Sequence, residues 1–238
     1  LTARNLFRTA LGRSFMAVWA QSDSPSVRAR RLDGDGTIHP QGSRGLDGVD
    51  GYPIVRSDGN DYLLIWVDSS YGTRVRMQRF DEDANPLGPV NELPATGIYP
   101  EIIVSNGSTY LMTERFGQKD DLILDRNGKL VRRVANPRVR VSAYVGTTGS
   151  GEYQFLQRPV QCAQPCGRMI LRMISDDGSV REREISAELT AGYTDILSIA
   201  AGPERMIVAW TPEWIGHSQV TYAVLDREGF LIQEPVEV

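Results

Sequence analysis

The residues with the clearest potential for chemistry are two aspartates alternating with glycine in the stretch RRLDGDGTIHP, residues 30–40. Asp33 and Asp35 resemble the opening of a calcium-binding loop, and such a site would point directly to a function. A calcium loop needs several more oxygen ligands at fixed spacing, including a distal carboxylate. The alternative is a tight turn, in which Gly36 takes a positive φ and Asp bonds the turn backbone.

Related segments elsewhere in the chain favour the turn. In each, an extended apolar stretch leads into Asp or Ser, two mostly polar residues, and then Gly, which Ala84 replaces once. These segments are FDEDANPLG (80–88), LDRNGKL (124–130), SDDGSV (175–180) and LDREGFL (225–231). Five-fold recurrence is typical of an architectural repeat, so we expect a structural turn and no metal site.

An apolar strand precedes each of these turns by about 16 residues. Trp19, Trp66 and Trp210 occupy the same place in three of the strands, and we predict that they lie in the core between repeats. The strands are FMAVWAQ (15–21), YLLIWVD (62–68), YLMTERF (110–116), YQFLQR (153–158) and MIVAWTP (206–212).

Each of these strands follows another strand and a turn rich in Gly, Asn and Ser. The repeating unit is therefore strand, tight turn, strand, longer loop, strand, Asp-x-x-Gly turn, strand. Four antiparallel strands repeated about every 47 residues indicate a β-propeller blade. We predict an all-β, five-bladed β-propeller that forms a single domain over residues 1–238, with repeats at about 3–51, 52–98, 99–139, 140–193 and 194–238.

The pattern YLLIWVD…VRMQRFDEDANPLGP, within residues 62–89, resembles the repeats of bacterial extracellular β-propeller proteins. The resemblance spans the whole chain and implies a fold and export to the surface, the periplasm or the medium, but no activity. WD repeats match less well, and SDDGSVR lacks the final aromatic residue of a sialidase Asp-box. Because the chain begins at Leu1, we expect a mature or excised part of a longer surface or secreted protein, or of a larger propeller.

The bulk composition excludes some classes of function. Apolar residues make up 41% and charged residues 24%, which is an ordinary globular balance. The formal net charge of −4 argues against nucleic-acid binding, which usually requires a basic excess. No run of about 18 apolar residues occurs, so we expect no membrane span. We expect a monomer without a cofactor.

The longer loops are the places where function is expected. Unlike the Asp-x-x-Gly turns, they vary between repeats, and binding residues concentrate on variable loops that a rigid frame holds. Aromatic residues there suit a sugar ring or a protein hot spot, although the tyrosines also fit wedges between blades. The proposed ligand-binding residues are Tyr52, Tyr71, Tyr99, Tyr193 and Trp214.

Cys162 and Cys166 lie in the longest of these loops, separated by AQP. Two cysteines are too few for a structural zinc site, and their spacing differs from that of thioredoxin-like redox pairs. We expect a disulfide, which implies an oxidising compartment; the alternative is a pair of buried free thiols.

Two classes of function remain. The first is a non-catalytic recognition or scaffold propeller that binds an extracellular glycan or protein. The second is a glycoside hydrolase of the five-bladed type, which needs two carboxylates facing each other across the bond that is cut. Asp50, Glu101 and Asp195 lie near the starts of predicted innermost strands and are the candidates for that role.

Overall fold

Every regular element that the computed structural model describes is a β-strand, which confirms the predicted all-β class. No helix in the described part of the chain is long and apolar enough to cross a membrane. The described residues are 3–11, 14–21, 27–40, 42–46, 49, 53–68, 74–96, 100–114, 120–136, 141–149, 151–159, 170–185, 194–202, 204–212 and 220–237.

The described strands form five four-stranded sheets, and the strands of each sheet follow one another in chain order. The first sheet contains β1 (Ala3–Leu11), β2 (Ser14–Gln21), β3 (Val27–Asp33) and β4 (Arg44–Leu46). The second contains β5 (Ile54–Ser57), β6 (Tyr62–Asp68), β7 (Arg74–Phe80) and β8 (Asn91–Thr96). The third contains β9 (Pro100–Ser105), β10 (Tyr110–Glu114), β11 (Asp120–Leu124) and β12 (Leu130–Ala135).

The fourth sheet contains β13 (Val141–Gly149), β14 (Glu152–Pro159), β15 (Ile170–Ile174) and β16 (Val180–Glu184). The fifth contains β17 (Thr194–Ala201), β18 (Arg205–Pro212), β19 (Thr221–Asp226) and β20 (Leu231–Glu237). Neighbouring strands are antiparallel wherever their register is described. The strands of each sheet fall inside one of the five repeat ranges given above.

The Asp-x-x-Gly segments form the same turn in all five sheets. The N–H of the fourth turn residue donates to the carbonyl of the first at 2.8–3.1 Å, and the N–H of the first donates to the carbonyl of the fifth at 2.8–3.0 Å. The fourth residue has a positive φ of 62–85° in every case, including Ala84. The predicted turn is therefore confirmed, and Gly is preferred at this position because it adopts positive φ at low cost.

The turn carboxylates bind the turn's own backbone. Asp125 accepts the N–H groups of Asn127 at 2.9 Å and Lys129 at 2.8 Å, and Asp81 and Asp226 do the same in their turns. In the remaining two turns, the aspartate at the third position, Asp35 or Asp177, accepts a backbone N–H two residues later at 2.8 Å. These oxygens stabilise the hairpins, which is the role that the alternation of Asp and Gly serves.

The chain divides into two compact units. The first comprises Leu1–Pro100, Gly107–Tyr110 and Leu122–Arg132, and the second comprises Glu101–Asn106, Leu111–Asp121 and Arg133–Val238. The division falls within the third sheet, so the first unit contains the first two sheets and the second unit contains the last two.

The core of the first unit lies between the first and second sheets. Alternating apolar residues of β2 and β3 pack against Val55 of β5 and alternating residues of β6, as expected when one face of each strand is buried. Trp66 is 1% exposed and belongs to this core, whereas Trp19 is half-buried. The cluster consists of Met16, Val18, Val27, Ala29, Leu46, Val49, Val55, Tyr62, Leu64, Trp66, Phe80 and Ala84.

The core of the second unit is built in the same way from the fourth and fifth sheets. Leu171 and Met173 of β15 pack against Met206, Val208 and Trp210 of β18. Trp210 is 4% exposed, so the predicted core position holds for Trp66 and Trp210. The recurrence of one packing pattern in both units follows from the repeat itself.

Candidate functional site

Most of the site residues predicted from the sequence lie outside the described residues. These are Asp50, Tyr52, Tyr71, Tyr99, Cys162, Cys166, Tyr193 and Trp214. Glu101 is the second residue of β9 and Asp195 the second residue of β17, and for both the description covers the backbone alone. The strand ends that lead into the variable loops are among the described residues, and we call this end of each sheet its loop end. The opposite end of each sheet, which carries the Asp-x-x-Gly turn, is its turn end.

A β-bulge recurs at the loop end of the first strand in three sheets. In β1, β13 and β17, two residues oppose a single residue of the neighbouring strand. Bulges of this kind redirect side chains and are frequent beside binding and active sites. The bulged pairs are Asn5 and Leu6, Tyr144 and Val145, and Asp195 and Ile196.

A buried cluster of charges lies near the loop end of the third sheet, within the second unit. Arg172, in the middle of β15, is 1% exposed, and its Nη1 donates to Glu182, its direct cross-strand neighbour on β16, at 2.6 Å. Nη2 donates to the carbonyl of Ala135 at the end of β12, at 2.7 Å. The same nitrogen lies 3.4 Å from Oδ2 of Asp121, at the start of β11. Arg172 therefore ties the fourth sheet to both of these strands.

Asp121 is the most perturbed carboxyl in the described part of the chain. Burial raises its pKa from 3.8 to about 6, against the opposing effects of the Arg172 charge and of a hydrogen bond from Asn136. Asn136 donates to Oδ1 at 3.2 Å, whereas Oδ2 accepts no hydrogen bond from any described residue. A carboxyl that titrates near neutrality is a candidate acid or base. Because Asp121 is only 1% exposed, we assign it to the structure of the sheet contact.

Arg172 and Asp121 were not among the site residues predicted from the sequence, although the sequence contains a signal for their cluster. Arg172 interrupts the apolar run MILRMI, and all five residues of β15 are buried. An arginine at the centre of a strand buried on both faces requires a partner acid. Arg172 has two such acids, Glu182 on the neighbouring strand and Asp121, which lies 51 positions earlier in another repeat.

The turn ends carry links between successive sheets in the first unit. Arg31 of β3 lies 3.2 Å from both Glu82 and Asp83 in the turn of the second sheet. Arg126, in the β11–β12 turn, donates through Nε to the buried carboxylate of Asp58 at 2.7 Å. The Asp-x-x-Gly turn thus serves both as a hairpin and as a docking point for the preceding sheet.

The second unit repeats this arrangement. Asn106, in the β9–β10 turn, donates to Asp176 in the turn of the fourth sheet. Gln154 of β14 donates to the carbonyl of Arg227 in the turn of the fifth sheet at 3.2 Å, and Arg181 of β16 pairs with Glu228 of the same turn. Among the described residues no group of three or more His, Cys, Asp or Glu side chains could hold a metal ion.

Comparison with known proteins supports the fold but shows no function. No protein family matches the chain, and no curated protein matches it. The chain is similar to a subtype N10 neuraminidase-like protein of A/little yellow-shouldered bat/Guatemala, with a TM-score of 0.60 and 8% identity over 100% of this chain and 83% of that one. It is also similar to the Dos1 propeller, with a TM-score of 0.59 and 10% identity over 99% of this chain and 62% of that one.

A third similar structure is hydrazine synthase of Kuenenia stuttgartiensis, with a TM-score of 0.59 and 12% identity over 98% of this chain and 65% of that one. The chain therefore spans a little less than two thirds of the length of two of these three proteins. At such low identity the likeness concerns the fold alone. This chain, whose described strands form five four-stranded sheets, is similar over nearly its whole length to structures of the propeller type.

Proposed function

We propose that this chain is a five-bladed β-propeller that recognises an extracellular glycan or protein, without catalysis, through the loop ends of its sheets. The observation that carries the proposal is the β-bulge at the loop end of the first strand in three sheets. A bulge costs regular ladder hydrogen bonds, and its repetition beside the most variable loops fits a role in aiming side chains at a ligand.

The aromatic residues predicted from the sequence suit such a surface. Tyr52, Tyr99 and Tyr193 come one or two residues before β5, β9 and β17, the first strands of their sheets. With Tyr71 and Trp214 they would offer stiff contact area with polar tips, which both sugar rings and protein partners use.

Closure of the five sheets into one ring is part of the proposal. Phe15 of the first sheet is 38% exposed, whereas Met16 and Val18, on the other face of the same strand, face the second sheet. Ile207 of the fifth sheet is 48% exposed, between residues that face the fourth sheet. Each terminal sheet thus has apolar surface on the face away from its neighbour, as the first and last blades of a ring would have. Small-angle X-ray scattering should give a radius of gyration of about 18 Å for a closed monomer, and a clearly larger value would contradict closure.

A binding screen tests the function. The chain is screened against glycan and protein arrays, and Trp214→Ala should weaken any binding found by about 2 kcal/mol or more, as loss of a hot-spot aromatic does. Phe230→Ala is the matched control, because Phe230 is 57% exposed at the turn end of the fifth sheet. Equal binding by the wild type and Trp214→Ala, or equal loss in both variants, would exclude Trp214 from the site.

A glycoside hydrolase is the second candidate, and one observation favours it. Asp195 lies within the bulge of β17, where its backbone departs from the regular ladder. Retaining or inverting hydrolysis would pair it with Glu101 or Asp50. Turnover of a glycoside panel that is abolished by Asp195→Asn and by Glu101→Gln would establish the enzyme and overturn the binding proposal.

Export is the remaining part of the proposal, and it predicts a disulfide between Cys162 and Cys166. Because the enclosed loop is so short, we expect it to add about 2 kcal/mol or less to stability. Mass spectrometry without reductant, on protein purified from an oxidising compartment, should find the bonded pair. Two free thiols in that sample would remove this support for export.

A further inference from the structure

Two polar clefts at the turn ends of the first unit lie at equivalent places in two successive repeats. The first lies between β3, the segment that leads to β4, and the turn of the second sheet; the second lies between β7, the segment that leads to β8, and the β11–β12 turn. Their volumes are about 380 and 270 Å³. These volumes lie at or just below the lower end of the range of small-molecule sites, which is about 300–1,000 Å³.

The repeat register shows that the walls correspond residue by residue. Arg31 and Arg79 each lie two positions before the first aspartate of their own turn. Arg31 contacts Asp83, and Arg79 donates to Asn127 at 3.3 Å, and both of these are the third residue of the following turn. The same kind of side chain therefore forms the same wall in both clefts.

The opposite wall corresponds in strand register, with different side chains. Arg44 pairs with Ala29, and Asn91 pairs with Met77, each four positions before the turn aspartate. Arg44 donates to the side chain of Asn85, the fifth residue of the following turn, whereas Asn91 donates to the backbone carbonyl of Asn127, the third residue of its following turn, at 2.7 Å. The clefts are thus a product of the repeat.

Both clefts have more basic than acidic side chains in their lining. The first contains three arginines and one aspartate, and the second contains Arg79 and Lys129 with Asp125. Arg31 is paired with Glu82 and Asp83, and Arg79 with Asp61, so the basic groups of the linings that form no ion pair with a described residue are those of Arg30, Arg44 and Lys129. Nε of Arg30 and Nδ1 of His39 are buried at the first cleft and have no hydrogen-bond partner among the described residues. Buried polar atoms of this kind are usually satisfied by water or by a ligand.

We propose that the two clefts bind the carboxylated sugar units of an acidic polysaccharide. Guanidinium and ammonium groups are the natural partners of a carboxylate, and the amide, hydroxyl and imidazole groups of the walls suit sugar hydroxyls. Two equivalent clefts in successive repeats match a polymer whose units also repeat. This site is separate from the loop end and does not depend on the function proposed there.

Digalacturonate, followed by isothermal titration and by NMR, is the probe. We expect two sites per chain in the wild type, and a loss of at least about tenfold in affinity at one of them in Arg44→Gln and at the other in Lys129→Gln. The double variant should show neither site. Arg205→Gln, at an exposed arginine of β18 outside both clefts, is the charge-matched control and should retain two.

Three results would overturn the proposal. Digalacturonate could fail to bind below about 10 mM, or the double variant could bind it as the wild type does. Arg205→Gln could also weaken binding as much as the cleft variants do, which would indicate attraction to net charge alone. Equally tight binding of the carboxyl-reduced, neutral disaccharide would remove the role of the carboxylate. Equally tight binding of diglutamate at the same residues would assign the clefts to acidic peptides instead of sugars.

Discussion

Replacement of Asp121 by asparagine should stabilise the protein at neutral pH. The folded state raises the pKa of Asp121 from 3.8 to about 6, so between these values it binds more protons than the unfolded chain does. The stability that the neutral carboxyl contributes is full below pH 4 and is lost as pH rises through 6. One pKa unit corresponds to about 1.4 kcal/mol, so ionisation of this buried group costs up to about 3 kcal/mol at pH 7.

Urea unfolding at pH 4, 5, 6 and 7, followed by far-UV circular dichroism, measures this cost. Asn cannot ionise, so Asp121→Asn should match the wild type within about 0.5 kcal/mol at pH 4 and exceed it by about 2–3 kcal/mol at pH 7. Asp120→Asn is the neighbouring control, because the Asp120 side chain is 37% exposed, and it should change stability at pH 7 by no more than about 0.5 kcal/mol. Equal destabilisation of Asp121→Asn at pH 4 and pH 7 would refute the reasoning, because the ion pair with Arg172 would then outweigh the burial.

Replacement of Arg172, the other member of the ion pair, should instead lower the free energy of unfolding. Arg172→Met removes the only cation within 4 Å of Asp121 among the described residues and leaves a buried carboxyl unpaired. Loss of one member of a buried pair costs about 3–5 kcal/mol. The cost should be smaller at pH 5, where Asp121 is mostly protonated, and Asp121→Asn in the same chain should recover part of it at pH 7.

Two further predictions concern the frame. Trp66→Ala should lower the free energy of unfolding by about 3–5 kcal/mol, because Trp66 is 1% exposed, whereas Phe230→Ala, at a residue 57% exposed, should cost about 1 kcal/mol; urea titration of both variants checks this. Gly128→Ala should cost about 2–4 kcal/mol, because the new Cβ adds a contact of 2.8 Å with Cβ of Met77 to the strain of a positive φ. Gly36 has a similar φ and open space around it, so Gly36→Ala measures the backbone strain alone, at about 1–2 kcal/mol. Equal losses of stability in the two variants would mean that local movement relieves the contact with Met77.

The strands and the turn were predictable because their signals are local and repeated. Positive φ favours Gly at one position of the turn, and the side chains of Asp81 and Asp125 satisfy N–H groups within four residues of themselves. Ala84 adopts the same turn with a φ of 62°, so the surrounding pattern outweighs the preference of a single residue.

The links between sheets were not predictable in the same way. Arg172 and Asp121 are far apart in sequence, and their contact depends on how two sheets pack and on how far a guanidinium reaches. The repeat period defines which positions are equivalent, but the chemistry changes between them, as when Asp83 in one turn becomes Asn127 in the next. The loop-end aromatics present a harder case, since loop conformation is determined by no short-range periodic rule.

The two ends of the sheets differ in how many constraints each residue satisfies. At the turn end, a turn residue such as Asp83 belongs to its own hairpin and also receives a side chain from the preceding sheet, so a substitution there disturbs two sheets at once. Near the loop end of the third sheet, Arg172, Glu182 and Asp121 contribute their contacts from inside strands. A frame fastened through its turns and strands tolerates change in the loops between β-strands, and that tolerance is what a recognition surface needs in order to diversify without loss of the fold.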